Sequence, residues 1–568
     1  MPSVSAIRAA GLLLLIGALA ASVGSHAQSQ PSWQAQGKPS LIFSTTLGGL
    51  NCNCDNPRTF AQNTGSDAEG NTFVTGASRV TDLPVLHAFQ PQPASGASMT
   101  AFVAKLDPSG KLLWLTYLGG NNQTMGEGLA VLPDGGVAVD GITNSDDSEP
   151  FPTLNAFQNK FAGGGADYFL SVFDKDGNLL YSTYFGGSGT EGSGFVDNNS
   201  NGNNLTADAH GLVYLVGTTY SADLPVTANA IQPDLKGDSD AIVAIFDPSK
   251  SGADSLIYSS FLGGHDDEKG HGAAVDASGE LITAVGYTNS DDFPTTHNAY
   301  RRHAPPPGWV SNGFVAQFTS SNPGDPTSEY KFRYSTYLGG NTDHAREDTY
   351  GVAVDQNGII AVTGRTVSPD FPTTWLSVYR SAPYLGLDKS NDQPYMVKID
   401  PSREKKASLI YGTYLGGGAP NEIALAGGGF GTSIGVDSHG NVYLAGETSS
   451  YGIEYQDIDG TANLVAPIKY PYTWDALIPA FQGGSQDAMF MQIPPSGAWL
   501  AYSTYLGGSG DDRAYGLAVD PDGNVVVTGV TSSPDFPLKN PAQVFPHVPG
   551  QQNAFITKFS FGGSANQP

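Results

Sequence analysis

The stretch YSTYLGG at Tyr502–Gly508 has close copies along the chain: YSTYFGG from Tyr181, YSSFLGG from Tyr258, YSTYLGG from Tyr334 and YGTYLGG from Tyr411. Looser forms are FSTTLGG from Phe43 and WLTYLGG from Trp114. The first glycine of each falls at Gly48, Gly119, Gly186, Gly263, Gly339, Gly416 and Gly507. A motif written seven times at spacings of 67 to 91 residues marks seven structural repeats, which overrides the several domains that length alone suggests.

One unit is legible from its pattern. YGLAVD (Tyr515–Asp520) is a short apolar run, PDGN a turn, and VVVTG (Val525–Gly529) β-branched and apolar. A Pro-rich loop follows, then AFITKF (Ala554–Phe559) with alternating polarity. Earlier units continue from the equivalent of AFITKF through a turn such as DPSGK (Asp107–Lys111) into YSTYLGG. This reads as four antiparallel strands with no helical period. A lone four-stranded sheet cannot bury both faces, whereas seven packed face to face in a ring can. The expected fold is all-β, a seven-bladed β-propeller of four-stranded antiparallel blades. The chain begins with an outer-type strand at Leu41 and ends with a third-type strand at Phe559. Pairing these would close the ring and remove two strand edges.

YSTYLGGSGDD, GLAVDPDGNVVVTG, SPDFP and TAFVAKLDPSG together resemble the bacterial seven-bladed β-propeller repeat (SBBP repeat) family, from about Leu41 to Gly563. The resemblance implies an exported or surface-attached propeller and supplies no catalytic motif.

Residues 1–27, with Arg8 before an apolar run and Ser25-His26-Ala27 at its end, read as a signal peptide cleaved near Ala27. An N-terminal anchor is the alternative, weakened by a short run broken at Gly11, Gly17 and Gly24. Residues 28–39 then form a short linker, 40–563 the propeller and 564–568 a tail. The expected location is secreted, periplasmic or on the cell surface, with no membrane span and a monomeric state. The net charge of -27 becomes -28 without Arg8. That surface repels nucleic acid and anionic lipid, leaving cations, sugars or a protein as partners. The two cysteines, Cys52 and Cys54, exclude a disulfide framework; one residue apart, they could form a strained local disulfide or supply two metal ligands, the latter a weak signal.

Candidate chemistry is sparse. Asp67, Asp208, Asp276, Asp355, Asp437 and Asp520 end the first strand of six units, with Leu132 in the seventh. They read as turn-fixing carboxylates, the alternative being a cation-collecting ring at a channel mouth. The DFP and DLP motifs at Asp82, Asp223, Asp292, Asp370 and Asp535 read as turns fixed by proline. Acidic crossings at Asp266–Glu268, Asp343, Glu347-Asp348 and Asp511-Asp512 are solvated loops, or carboxylates for glycosidic acid/base work or a divalent cation. The long second-to-third loops of units four to six bring Arg301, Trp309, Trp375, Tyr379, Tyr472 and Trp474. On one face these would make an aromatic platform for an extracellular glycan or protein, or simply pack within their own loops. His265, His271, His303 and His344 are the acid/base candidates for a rival reading as a polysaccharide lyase or glycosidase. A third reading is a structural envelope component. No cofactor is expected beyond weak divalent cation binding, and there is no serine-hydrolase elbow, zinc-protease, phosphate-loop or dinucleotide motif.

Overall fold

The computed structural model describes residues 39–52, 54, 56–192, 204–304, 311–341, 346–374, 393–415, 433–448, 472–543 and 550–561. These form seven four-stranded sheets, each strand antiparallel to its neighbours. The only helical segments among them are two short 3-10 turns, Gly252–Ser255 and Lys405–Ser408. The signal peptide, most of the linker and the tail expected from the sequence lie outside the described residues.

Blade one comprises Thr59–Ser66, Thr72–Ser78, Thr100–Leu106 and Leu112–Leu118. Five further blades repeat that order, their outer strands ending at Phe185, Leu262, Leu338, Tyr414 and Leu506. The seventh takes Asp512–Val519, Val525–Thr531 and Asn553–Ser560, and its outer strand is Ser40–Leu47 from the start of the chain. Thr45 sits opposite Ile556 and Ser44 Oγ bonds Thr557 Oγ1 at 2.9 Å. The first strands of all seven blades line one axial cavity of about 290 Å³, walled by Gly65, Ala130, Ala274, Gly435 and their neighbours. Small residues there let seven strands converge on one axis.

The turn leaving each first strand needs glycine. Gly70, Gly135, Gly211, Gly279, Gly358, Gly440 and Gly523 all have φ between 75° and 84°, which side-chain-bearing residues rarely adopt. The aspartates before them fix the same turns. Asp520 Oδ1 accepts the N–H groups of Asp522 and Asn524 at 3.0 and 2.8 Å, and Asp67, Asp208, Asp355 and Asp437 do likewise. Asp67 and Asp520 are also paired with buried Lys105 (3.1 Å) and Lys558 (2.8 Å). Where Leu132 replaces aspartate, Asp134 accepts the Gly136 N–H instead.

The two sequence motifs turn out to be halves of one joint. The second tyrosine of YSTYLGG is buried, and its hydroxyl accepts the N–H of the residue after the DFP-type aspartate. The pairs are Tyr117 with Leu83, Tyr337 with Phe293 and Tyr414 with Phe371, at 2.9 to 3.0 Å. The same hydroxyls donate to Val80, Ser290 and Ser368 carbonyls. The DFP phenylalanine stacks on a third-strand aromatic, as Phe293 on Phe314 at 4.7 Å and Phe536 on Phe555 at 4.8 Å. The aspartate reaches back to the preceding blade's crossing. Asp82 accepts Asn51 N–H, Asp223 Ser188, Asp292 His265, Asp370 Asn341 and Asp535 Ser509, at 2.7 to 3.0 Å. Proline-fixed turns are therefore only part of the motif; its aspartate caps the link between blades.

The second-to-third connections differ from the expected face loops. Their described stretches run along the free edge of the outer strand, where Leu86 N–H and Leu115 N–H exchange bonds with each other's carbonyls at 3.1 and 2.9 Å. An outer strand has unpaired backbone groups on that edge, and the connection supplies partners for them.

Candidate functional site

The first strands enter the axis from the crossing end, and each fully described one is interrupted there. The pairing register shifts between Ala61 and Asn63, Gly126 and Leu129, Gly270 and Gly272, Thr349 and Gly351, and Ala514 and Gly516. A β-bulge re-aims the residue that it leaves unpaired. The skipped side chains are Gln62, Glu127, His271, Tyr350 and Tyr515, all polar. Most scaffold positions repeat from blade to blade, whereas these five carry four different residue types.

Around blades three to five the bulge residues join a continuous aromatic and charged array. The His271 ring stacks on Tyr350 (centroids 5.0 Å apart, planes at 21°) and meets Tyr287 edge-on at 5.5 Å. Arg365 lies over the Tyr350 ring, 5.7 Å from its centroid, and grips Asp348 through Nη2 and Nε at 2.5 and 2.6 Å. Tyr350 donates its hydroxyl to the same Asp348 oxygen at 3.2 Å. At the other end Lys269 Nζ stands 4.0 Å over the ring of Tyr220, which is 42% exposed. Tyr287, Lys269 and Arg365 are partly exposed, so the array opens to solvent along one side.

Electrostatics sort the roles available. Burial pushes the His271 imidazole down to about 4, so it is neutral in ordinary buffer; its Nδ1 lies 3.1 Å from the Thr349 carbonyl. Burial works to raise Asp348, but the charge and hydrogen bond of Arg365 outweigh it and hold the carboxylate ionised. Burial also raises the Tyr287 phenol. The array thus offers ring faces, a guanidinium, an ammonium and one engaged carboxylate.

Of the six ligand-binding residues expected from sequence, Arg301, Tyr472 and Trp474 are among the described residues. Trp474 is 93% exposed and sits on the outer flank of blade six, next to Thr473, whose N–H bonds the Ser503 carbonyl at 3.0 Å. Tyr472 is exposed two residues before it. Arg301 binds the Gly340 carbonyl at 2.8 Å and Asn341 Oδ1 at 3.1 Å, holding a blade crossing. Gln90 does the corresponding task at Gly119. Trp309, Trp375 and Tyr379 lie outside the described residues, as do Asp343 and His344. His265 is exposed, with Asp292 at 2.9 Å, Asp266 at 3.3 Å and Asp291 at 3.6 Å; of the three described histidines His265, His271 and His303, His271 joins the array. Cys52 and Cys54 are disulfide-bonded, which leaves no thiolate pair. Among the described residues no helix is long and apolar enough to cross a membrane. Tyr350 and Tyr287 escaped the sequence reading because a bulge, not a motif, aims the one at the other's neighbour. The signal was the polar residue before the glycine in GHG, TYG and AYG.

No curated protein matches the chain. Among solved structures, it is similar to a protein of unknown function from Dyadobacter fermentans DSM 18053, at 9% identity over 92% of this chain and 99% of that one, TM-score 0.37. It is also similar to the β-propeller domain of the Trilobed protease from Pyrococcus furiosus, at 10% identity over 86% and 90%, TM-score 0.34. A quinohemoprotein alcohol dehydrogenase from Pseudomonas putida HK5 matches at 9% identity over 95% and 79%, TM-score 0.35. Residues 410–454 and 501–537 match the beta-propeller repeat family SBBP. With seven four-stranded blades around one axis, the chain is a β-propeller that carries SBBP repeats.

Proposed function

We propose that this is an exported binding protein that holds a neutral extracellular saccharide at the crossing end of its axis, against Tyr220, Lys269, Tyr287 and the His271–Tyr350–Arg365 group. The array itself carries the reading: stacked rings beside planar and cationic hydrogen-bond donors suit the apolar faces and hydroxyl edges of a sugar. The charge of -27 disfavours polyanions. A protein partner would bury a wide area centred on aromatic anchors, whereas here most of the rings are already packed against one another.

A glycan array probed with the chain from residue 28 onward tests this. Binding to neutral saccharides is expected, with loss on Tyr220→Ala. A chain that binds none of them, or that releases new reducing ends or unsaturated products from a polysaccharide panel, contradicts the reading.

A further inference from the structure

At five of the described crossings the first glycine (Gly119, Gly186, Gly263, Gly339 and Gly507) lies where two side chains meet, one from the third strand of the blade just completed and one from the entry to the next. After blade two these are Asp167 and Glu191, after blade three Asp240 and Glu268, and after blade six Asp487 and Asp512. All six are fully buried, at 0% exposure. A Cβ on Gly186 would stand 2.5 Å from Asp167 Oδ1 and 2.6 Å from Glu191 Oε2. On Gly263 it would be 2.3 Å from Asp240 Oδ1 and 2.2 Å from Glu268 Oε2, and on Gly507 2.9 Å from Asp487 Oδ1 and 2.6 Å from Asp512 Oδ2.

Each third-strand aspartate has its outer oxygen satisfied. Asp167 Oδ2 accepts Gln158 Nε2 and Ala162 N–H, Asp240 Oδ2 accepts Gln232 Nε2 and Lys236 N–H, and Asp487 Oδ2 accepts Gln482 N–H. The inner oxygens differ. Asp167 Oδ1, Asp487 Oδ1 and Glu191 Oε2 have no hydrogen-bond donor, and Asp240 Oδ1 has only Gly237 N–H at 3.5 Å; Glu268 Oε2 accepts Gly264 N–H at 2.9 Å, and Asp512 Oδ2 accepts Gly508 N–H at 2.8 Å and the Ser533 hydroxyl at 2.6 Å. Two carboxylates held together away from water cannot both stay ionised.

We propose that each pair holds one proton between its carboxyl groups, and that these three protons tie blade two to three, three to four and six to seven until rising pH removes them. The chain contains its own comparison. After blade four the position is Asn312, whose Nδ2 lies 3.4 Å from Glu347 Oε2, so an amide N–H stands where a carboxyl proton stands elsewhere. After blade one, Thr100 and Thr124 flank Gly119, and after blade seven Asn553 meets Gly48. A position filled in turn by carboxyl, amide and hydroxyl serves a hydrogen bond across the crossing.

Burial, the largest cause in each, raises all six groups: Asp167 and Asp487 to about 8, Glu268 to about 7, Asp512 to about 6, Glu191 and Asp240 upward. Facing them are Tyr168 and Tyr184 at the first pair, Lys236 and Tyr337 at the second, and Asp511 and Asp535 at the third. Lys236 favours ionisation, while the two aspartates oppose it. The native pairs keep protons that unfolded carboxyls lose near pH 4. Above that pH each pair therefore raises the unfolding constant about tenfold per pH unit, until its own proton leaves. Asp140, Glu347 and Glu447, each raised by burial to about 7, act in the same direction. His271 acts oppositely below its unfolded value near 6.5.

The test is therefore a difference between variants of the whole chain. Unfolding equilibria of wild type, Asp240→Asn and Glu268→Gln are measured from pH 5 to 8. Either variant supplies the amide that Asn312 supplies naturally, so the logarithm of the unfolding constant should rise about one unit less per pH unit than in wild type. Infrared spectra should show one fewer protonated carboxyl in each folded variant at pH 6. Unchanged slopes with an unchanged carboxyl band overturn the proposal. So does calorimetric binding of calcium by wild type that Asp240→Asn abolishes, because that outcome puts a cation in the pair.

Discussion

Replacing Tyr337 with phenylalanine isolates the joint between the two repeat motifs. The hydroxyl of this fully buried side chain accepts Phe293 N–H and donates to the Ser290 carbonyl, both at 2.9 Å. Phenylalanine keeps the ring and its edge contact with Phe293 (6.0 Å between centroids), so the change removes hydrogen bonds and little packing. A buried N–H deprived of its acceptor costs about 1–3 kcal/mol. Blade three shows how far the loss can be relieved. There Phe261 occupies the tyrosine position of YSSFLGG, and Leu224 N–H turns to the Ser221 carbonyl at 3.3 Å. Phe293 has the matching Ser290 carbonyl available, which places the expected loss in the lower half of the range, about 1–2 kcal/mol. Urea unfolding at fixed pH measures it, with Tyr472→Phe as an exposed control expected to stay within about 0.5 kcal/mol. A Tyr337→Phe protein as stable as that control would show that the hydroxyl does not hold the joint.

Three further substitutions probe other parts of the account. Lys558→Met strands the Asp520 carboxylate, both side chains being 1% exposed; the expected loss is about 3 kcal/mol, at the low end because turn N–H groups still serve Asp520. Adding Asp520→Asn should recover much of it, and a double variant no better than the single one counts against the pair. Gly263→Ala puts a methyl 2.2 Å from Glu268 Oε2, so a loss of at least about 2 kcal/mol is expected in thermal or urea unfolding; wild-type stability would mean that the crossing is looser than described. Trp474→Ala should leave the unfolding midpoint unchanged within about 0.5 kcal/mol, since the ring is 93% exposed, and a large shift would show that it packs.

Sevenfold repetition was legible because strand period, turn glycines and YSTYLGG recur in step, and each reports local backbone geometry. The joint was not, because Asp370 and Asn341, or Tyr337 and Phe293, meet only after the blades have stacked. DFP read alone looks like a turn, and half of its chemistry lies in the previous unit. Arg301 looked like a ligand residue for the same reason: its partners at Gly340 and Asn341 belong to a crossing 39 and 40 residues on. Strand direction alone puts the second-to-third connections on a face, whereas in their described stretches the free edge of the outer strand draws them to the rim, Thr473 beside Trp474 included. His271 was noticed as a histidine, but nothing in its neighbours announced that a bulge stacks it on Tyr350.

Saccharide binding measured side by side on three proteins bears most directly on the axial site. Calorimetric titration of a neutral oligosaccharide retained on the array should give measurable affinity with wild type and with Trp474→Ala, and a loss of at least about tenfold, or 1.4 kcal/mol, with Tyr220→Ala. Affinity that survives Tyr220→Ala and disappears with Trp474→Ala would move the site from the axis to the rim of blade six and contradict the account.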